Sequence, residues 1–270
     1  EAITAQIIFN SPIVFYSWTP IVEKLIEQGI VVKSGDTYYM DDVARIVDMI
    51  GSGTTWADIG LTAPYGPMQI YTSNPAVSNT GNSFAGLLAN TFNGGKVVDS
   101  TTVSTVVPQL TEFVGRMGLL PTSTTQLFEQ FLNLGMGAAP IIVAYESNLI
   151  EYSLLHPGED FRQKIKDEVR MVYPRPTVWS EQPMIPLTEG GRRFVQALRS
   201  PEIQRIGWEQ HGFRPGNPSA LIDVGNLAEL GVPGSIDSAI RMPAADAMVT
   251  IIDALEAQAA VVARRPESVA

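Results

Sequence analysis

The feature that most constrains the fold of this chain is a continuous apolar run from Pro140 to Tyr145, PIIVAY. It has the length of a strand. Because its apolar residues do not alternate with polar ones, both faces of that strand must be covered. Helical apolar spacing occurs elsewhere in the chain, for example at Phe84, Leu87 and Leu88. A doubly covered strand among amphipathic helices predicts an α/β fold with a helix-flanked sheet.

Composition narrows the classes of function. The chain has 270 residues, of which 45% are hydrophobic, enough for one large domain or two lobes. A net charge of −10 argues against binding to nucleic acid or to an anionic lipid surface. The absence of cysteine excludes disulfides and thiolate metal sites, which fits a protein outside the cytoplasm. The sequence begins at Glu1 without a signal-peptide pattern, so we expect that any signal peptide was removed or never included.

A polar turn between a short apolar segment and a helix is the best candidate for a binding site. The segment from Met68 to Tyr71 is strand-like, and the helix carries Phe84 and Phe92 on its apolar side. The turn between them is formed by Ser78, Asn79, Thr80, Gly81, Asn82 and Ser83. Its hydroxyl, amide and backbone N–H groups at a helix start suit a small polar or anionic ligand. The alternative is a helix cap and an Asx turn that bind no ligand.

Two further stretches define the ends of the pattern. Prolines between Val172 and Pro186 predict an extended connection between lobes. An apolar stripe between Ala244 and about Val262 predicts a last helix.

Three segments, taken in order, resemble one family. They are the strand, turn and helix from Tyr71 to Leu88, the strand end from Val143 to Ser147, and the run from Val172 to Phe213. Together they resemble the extracellular solute-binding proteins of ABC importers, with the type 2 periplasmic-binding fold. Within these, the chain is similar to the branch that contains the molybdate-binding proteins. The resemblance extends from about Ser11 to Arg214.

The resemblance implies two α/β lobes, each a helix-flanked mixed sheet, that close on a ligand. Residues 20–174 would form lobe two. Residues 1–19 and 175–270 would form lobe one, which would be incomplete and carry a C-terminal helical extension. The implied protein is a monomer that captures a small solute, an oxyanion in the molybdate branch, and hands it to an ABC permease in the membrane. Its implied location is periplasmic or extracellular, either free or lipid-anchored through a removed N-terminus.

The chain departs from the family pattern in three places. A half-lobe normally precedes the segment that resembles Ser11 to Ser17, so we expect a truncated N-terminus or completion of lobe one by another element. About 55 residues follow Arg214, and we expect them to pack against the incomplete lobe. Glu146 follows Tyr145, and a carboxylate facing the cleft would repel an oxyanion by about 1 to 4 kcal/mol at 4 Å. A structural, paired Glu146 would leave an anionic ligand possible.

Three residues outside the turn are further ligand candidates. By the resemblance, Tyr145 matches a ligand-contacting tyrosine, with a core tyrosine as the alternative. Ser11 would face the cleft or begin a turn with Pro12. Trp18 would line the cleft wall or pack in the core.

The sequence predicts no catalytic residue, no cofactor and no metal site. The chain has two histidines, His156 and His211, and neither stands beside a nucleophile motif. With two histidines and no cysteine, a zinc site is not expected. We therefore expect a binding protein. The alternative is a sensor or protein-interaction module with a degenerate cleft on the same fold.

Overall fold

One long strand, β1, organises the fold, which the computed structural model describes over residues 4–118, 120–156, 158–216 and 222–263. β1 spans Gln6–Trp18. The other strands are β2 (Val31–Ser34), β3 (Thr37–Met40), β4 (Ile141–Tyr145), β5 (Val169–Pro174), β6 (Trp179–Met184) and β7 (Arg214–Pro215). The helices are α1 (Thr19–Glu27), α2 (Val43–Gly51), α3 (Asn79–Phe92), α4 (Val103–Gly115), α5 (Thr124–Leu134), α6 (Glu146–Leu155), α7 (Glu159–Glu168), α8 (Glu189–Leu198), α9 (Pro201–His211) and α10 (Ala245–Ala263). Short 3-10 helices lie at Ala57–Ile59 and Gly225–Leu230.

The two ends of β1 belong to different parts of a mixed sheet. Residues 6–12 pair antiparallel with β6 and, around Asn10, with β7; these strands form the small subsheet. Residues 13–18 pair antiparallel with β4 and β5, and β3 pairs parallel with β5. The β2–β3 hairpin completes this large subsheet. The chain passes between the subsheets through β1 and through the β5–β6 connection, and the predicted α/β class with flanking helices is confirmed.

Helices cover both faces of the large subsheet, as the apolar run predicted. Residues 141–144 of β4 are fully buried. The Phe15 ring meets Phe84 of α3 at a centroid distance of 5.9 Å, and the Tyr16 ring meets Phe128 of α5 at 5.1 Å. Because neighbouring side chains of a strand point to opposite faces, α3 and α5 cover opposite faces of the sheet. Each fully buried large apolar side chain stabilises the folded state by about 1.5 to 3 kcal/mol relative to an exposed one.

The segment before α3 is less regular than the sequence predicted. The strand expected from Met68 to Tyr71 forms only an isolated parallel bridge to β4. The Tyr71 N–H donates to the Ile141 carbonyl, and the Val143 N–H donates to the Tyr71 carbonyl, both at 2.8 Å. This bridge places the following loop and the start of α3 beside the end of β4.

The C-terminal segment contacts both halves of the molecule. Its first part lies against the small-subsheet side, where the Trp208 indole N–H of α9 donates to the Asp223 carbonyl at 2.8 Å. It next pairs with the inter-subsheet connection, where the Ile240 N–H donates to the Thr177 carbonyl at 2.8 Å. α10 then lies against α4 and α3. The reason is its apolar stripe, since Ala247, Ile251 and Leu255 are buried there. Residues 1–3, 217–221 and 264–270 of the predicted lobe one lie outside the described residues.

Candidate functional site

The start of α3 presents uncapped backbone donors. Its N-cap residue, Ser78, has an extended backbone with φ −125° and ψ 131°, but its side chain makes no cap hydrogen bond. The N–H groups of a first helical turn have no partner within the helix. The Asn82 N–H is the first to pair back, with the Ser78 carbonyl at 2.9 Å. The N–H groups of residues 79–81 therefore mark the positive end of the helix dipole.

Four hydroxyl groups cluster beside this helix start. The Ser78 Oγ lies 2.7 Å from the Ser73 Oγ and 3.2 Å from the Thr124 Oγ1. The Thr124 hydroxyl also donates to the Thr80 Oγ1 at 2.9 Å. Ser73 and Thr80 are buried, whereas Ser78 and Thr124 are half-buried. Ser78 and Thr80 were predicted from the sequence, whereas Ser73 and Thr124, the latter at the start of α5, were not.

Asn79 connects the two subsheets. Its Nδ2 donates to the Tyr145 hydroxyl at 2.8 Å and to the Ser180 hydroxyl at 2.9 Å. Tyr145 ends β4 in the large subsheet, and Ser180 belongs to β6 in the small subsheet. Each hydroxyl oxygen accepts a hydrogen bond from the amide, and each O–H can still donate to another acceptor. The arrangement can therefore offer two O–H donors from opposite sides to one ligand.

The remaining turn residues support the helix start. A Cβ on Gly81 would lie 2.1 Å from the Ser73 carbonyl oxygen, so only glycine allows this close approach of α3 to the preceding loop. Ser83 is buried and Asn82 is half-buried. The structure thus brings Ser78, Asn79 and Thr80 together with Tyr145, while Gly81 holds the helix in place.

Ser11 joins the same region from β1. It pairs with Ser180 in the β1–β6 register. Its Oγ lies 3.3 Å from the Ser147 Oγ and accepts the Ser147 N–H at 3.3 Å. Since Ser147 follows Tyr145 in the first turn of α6, Ser11 stands at the junction of both subsheets. Sequence reasoning missed Ser147 and Ser180 because nothing in the chain places them near residue 79.

Trp18 lies apart from the other candidates. Its side chain is buried, its ring centroid is 4.7 Å from that of Phe131, and its indole N–H donates to the Ala139 carbonyl at 2.9 Å. This is the packing role that the sequence left open. We leave Trp18 out of the proposed site.

The Glu146 carboxylate is paired within the protein. It is fully buried, and its two carboxylate oxygens accept from the Arg214 Nε and Nη2 at 2.6 Å each. The Tyr173 hydroxyl donates to the Glu146 Oε1 at 2.6 Å. Burial lowers the pKa of Arg214, but the charge and hydrogen bonds of Glu146, together with Tyr173, outweigh it and the pKa is raised. Of the two alternatives that the sequence left open, Glu146 therefore has the structural, paired role, and its charge is compensated.

Outside this site, the described residues form a large cavity but no metal-binding cluster and no membrane-spanning helix. A cavity of about 1210 Å³ between α6, α9 and the 3-10 helix at Gly225–Leu230 contains none of the predicted site residues. No group of three or more acidic or histidine side chains could hold a metal ion in residues 4–118, 120–156, 158–216 and 222–263. Over the same residues, no helix is both long and apolar enough to span a membrane.

Comparison with solved structures places the fold among binding proteins. The chain is similar to an extracellular solute-binding protein from Bordetella parapertussis, with a TM-score of 0.59 and 15% identity over 94% of this chain. It is also similar to a periplasmic thiamin binding protein, with a TM-score of 0.56 and 10% identity over 95% of this chain. A third neighbour is the substrate binding protein of an ABC transporter from Agrobacterium tumefaciens, with a TM-score of 0.54 and 14% identity over 95% of this chain. The chain spans 66% of the length of each of the three.

Sequence comparison gives the family. No curated protein matches the chain. Residues 3–214, which contain every residue of the site described above, match the family model described as bacterial extracellular solute-binding protein. The chain belongs to the family of bacterial extracellular solute-binding proteins.

Proposed function

We propose that the protein captures a small polar or anionic solute where α3, α6 and β6 meet, and delivers it to an ABC permease. Membership of the solute-binding family supports the capture of a solute. A structural neighbour that serves an ABC transporter supports the delivery step. In this proposal the protein acts as a monomer in the periplasm or outside the cell, free or lipid-anchored. The finer assignment to the molybdate branch belongs to the same proposal.

The observation that carries the proposal is the double hydrogen bond of Asn79. One amide nitrogen donates to hydroxyls from both subsheets, Tyr145 and Ser180. Both hydroxyls then have protons for an acceptor, and the uncapped start of α3 supplies N–H groups at the same place. An oxyanion presents only acceptors. It therefore matches this set of donors better than a cation does.

The charge of Glu146 does not oppose an anion. The Arg214 guanidinium compensates the carboxylate at 2.6 Å, so the repulsion that an unpaired Glu146 would exert falls away. Ligand selection then depends on the neutral donors of Asn79's partners and of Ser78, while Ser11 holds Ser147 in place behind them. Such donors distinguish a ligand by its acceptor geometry.

A thermal-shift screen with sulfate, phosphate, molybdate, amino acids and sugars tests the proposal. At a concentration 100 times the dissociation constant, a true ligand stabilises the protein by about 2.7 kcal/mol. Isothermal titration calorimetry then measures the affinity of each compound that stabilises.

Asn79→Asp provides the sharpest variant. Aspartate has almost the same shape, but it accepts hydrogen bonds from the Tyr145 and Ser180 hydroxyls and adds a negative charge near the ligand. Like charges about 4 Å apart cost about 1 to 4 kcal/mol, so an anion should bind much more weakly. Asn93→Asp is the matched control, because Asn93 is a partly exposed amide at the other end of α3. Equal affinities of the two variants would contradict this location of the site.

A second candidate function is sensing or protein interaction with a degenerate cleft. The observation that favours it is that Asn79 already donates to two protein hydroxyls and that the four neighbouring hydroxyls bond to one another. A screen in which no compound stabilises the protein, together with a protein partner that binds regardless of Asn79→Asp, would support this function against transport.

A further inference from the structure

The buried ion pair of Glu146 and Arg214 joins the small subsheet to the large one. Arg214 lies in β7 of the small subsheet, and Glu146 is the first residue of α6, next to β4 of the large subsheet. Side-chain exposure is 4% for Arg214 and 0% for Glu146. The guanidinium also donates to the Pro233 carbonyl at 2.8 Å. A bidentate pair of this kind fixes orientation as well as charge.

The residues on either side of Glu146 both belong to the candidate site. The Tyr145 hydroxyl accepts a hydrogen bond from the Asn79 amide, and the Ser147 N–H donates to the Ser11 hydroxyl. The Tyr16 hydroxyl donates to the Tyr145 carbonyl at 2.7 Å, which holds the same turn from beneath. Glu146 therefore fixes the first turn of α6 from its buried side, and the residues before and after it contact Asn79 and Ser11.

We propose that Arg214 is a positioning residue of the ligand site, because its bidentate bond to Glu146 sets the orientation of Tyr145 and Ser147. Arg214 does not touch the ligand. It acts through the first turn of α6, and it joins that turn to the small subsheet, which carries Ser180. The proposal rests on the function proposed above.

The test uses the full chain labelled with 3-fluorotyrosine. The chain has eight tyrosines, and Tyr145→Phe and Tyr173→Phe assign the two resonances of interest. The double variant Glu146→Gln/Arg214→Met removes both charges together, so neither partner is left as an uncompensated buried ion. Arg214→Lys keeps the positive charge but not the planar fork. Arg205→Met is the matched control, because Arg205 pairs with Glu209 on the exposed side of α9.

In the double variant, the Tyr173 resonance reports that the pair is broken, since its hydroxyl loses the Glu146 carboxylate. We expect the Tyr145 resonance to shift by more than its linewidth as well, and to shift less in Arg214→Lys and not at all in Arg205→Met. A Tyr145 resonance that stays in place while that of Tyr173 moves would overturn the proposal. If the double variant does not fold, the spectrum of Arg214→Lys tests the proposal instead. An unchanged Tyr145 resonance in Arg214→Lys would also overturn the proposal.

Titration with sulfate, phosphate and molybdate adds a second readout. For a probe that binds the wild type, the double variant should bind about tenfold more weakly, equivalent to losing one hydrogen bond to a charged group. A double variant that folds and binds the probe with unchanged affinity would contradict a positioning role for Arg214. If no probe binds the wild type, the oxyanion form of the proposed function fails, while the fluorine spectra still decide the role of Arg214.

Discussion

At the scale of single residues, Gly81 is where α3 comes closest to the loop before it. A Cβ there would lie 2.1 Å from the Ser73 carbonyl oxygen and 2.8 Å from the Pro75 nitrogen, and backbone atoms cannot rotate away. We expect Gly81→Ala to destabilise the protein by about 1 to 3 kcal/mol, although alanine favours helices. Gly51→Ala is the control, since a Cβ on that helical glycine meets no atom within 4 Å. Urea denaturation that showed the same effect for both variants would contradict the expectation.

Tyr173 makes stability depend on alkaline pH. Burial raises its pKa well above the ordinary 10.0, and Glu146 raises it further while Arg214 lowers it. Below pH 10.0 both folded and unfolded chains keep this proton. Above it the unfolded tyrosine ionises first, so stability falls by about 1.36 kcal/mol per pH unit until the folded pKa is reached. Urea denaturation between about pH 8 and 11 should show that the free energy of unfolding falls less steeply with pH in Tyr173→Phe than in the wild type. Parallel pH profiles would contradict this.

Part of the candidate site was visible in the sequence at this scale. Asn79, Ser78 and Thr80 stand together at a predicted helix start, and the residue types alone indicate donors. Ser180 was not predictable, because it is separated from Asn79 by 101 positions in the chain. The same holds for Thr124, whose contact with Thr80 spans 44 positions. Local spacing predicts a helix cap, but only tertiary packing selects its partners.

At the scale of elements, α10 contributes to the core of the large half, by which we mean the large subsheet with the helices that cover it. Ile251 is fully buried against the neighbouring helices, while Val249 is 61% exposed on the same helix. We expect Ile251→Ala to reduce the free energy of unfolding by about 2 to 5 kcal/mol, because it removes buried atoms and leaves a cavity. Val249→Ala should change it by less than about 0.5 kcal/mol. Urea denaturation compares the two variants, and equal losses would mean that α10 is not docked as described.

The elements differ in how far the sequence predicts them. β4 follows from its continuous apolar run, and α10 from its stripe. The β2–β3 hairpin was missed because its four-residue strands are half exposed, with Val32 43% exposed and without a consistent alternation. The position of α10 could not be inferred, since an apolar stripe shows that a helix is buried but not against which element.

At the scale of the whole molecule, the two subsheets share β1, and the site lies where they separate. At the point where the subsheets separate, β1 is hydrogen-bonded to the β5–β6 connection. The Ile13 N–H donates to the Val178 carbonyl, and the Thr177 hydroxyl donates to the Ile13 carbonyl. The C-terminal segment meets them at Ala239. Any change in the angle between the halves must therefore bend three neighbouring chain segments together. This geometry makes the contacts of Asn79 sensitive to that angle.

A ligand held by both halves should couple Tyr145 and Ser180. Their hydroxyls come from different subsheets but accept hydrogen bonds from the same Asn79 nitrogen. Tyr145→Phe and Ser180→Ala should each weaken binding by about 1 kcal/mol for a neutral ligand, or about 1.5 to 3 kcal/mol for an anion. When one hydroxyl is lost, the ligand no longer draws the halves together, so the second loss costs a different amount. The expected coupling energy is about 0.5 to 3 kcal/mol.

Isothermal titration calorimetry of the wild type, both single variants and the double variant measures this coupling. Tyr65→Phe is the control for the tyrosine change, since Tyr65 is 90% exposed. Effects that add within about 0.3 to 0.5 kcal/mol would show that the two hydroxyls act independently. A single variant that left the affinity unchanged would show instead that its hydroxyl does not bind the ligand, so that the other half alone holds it.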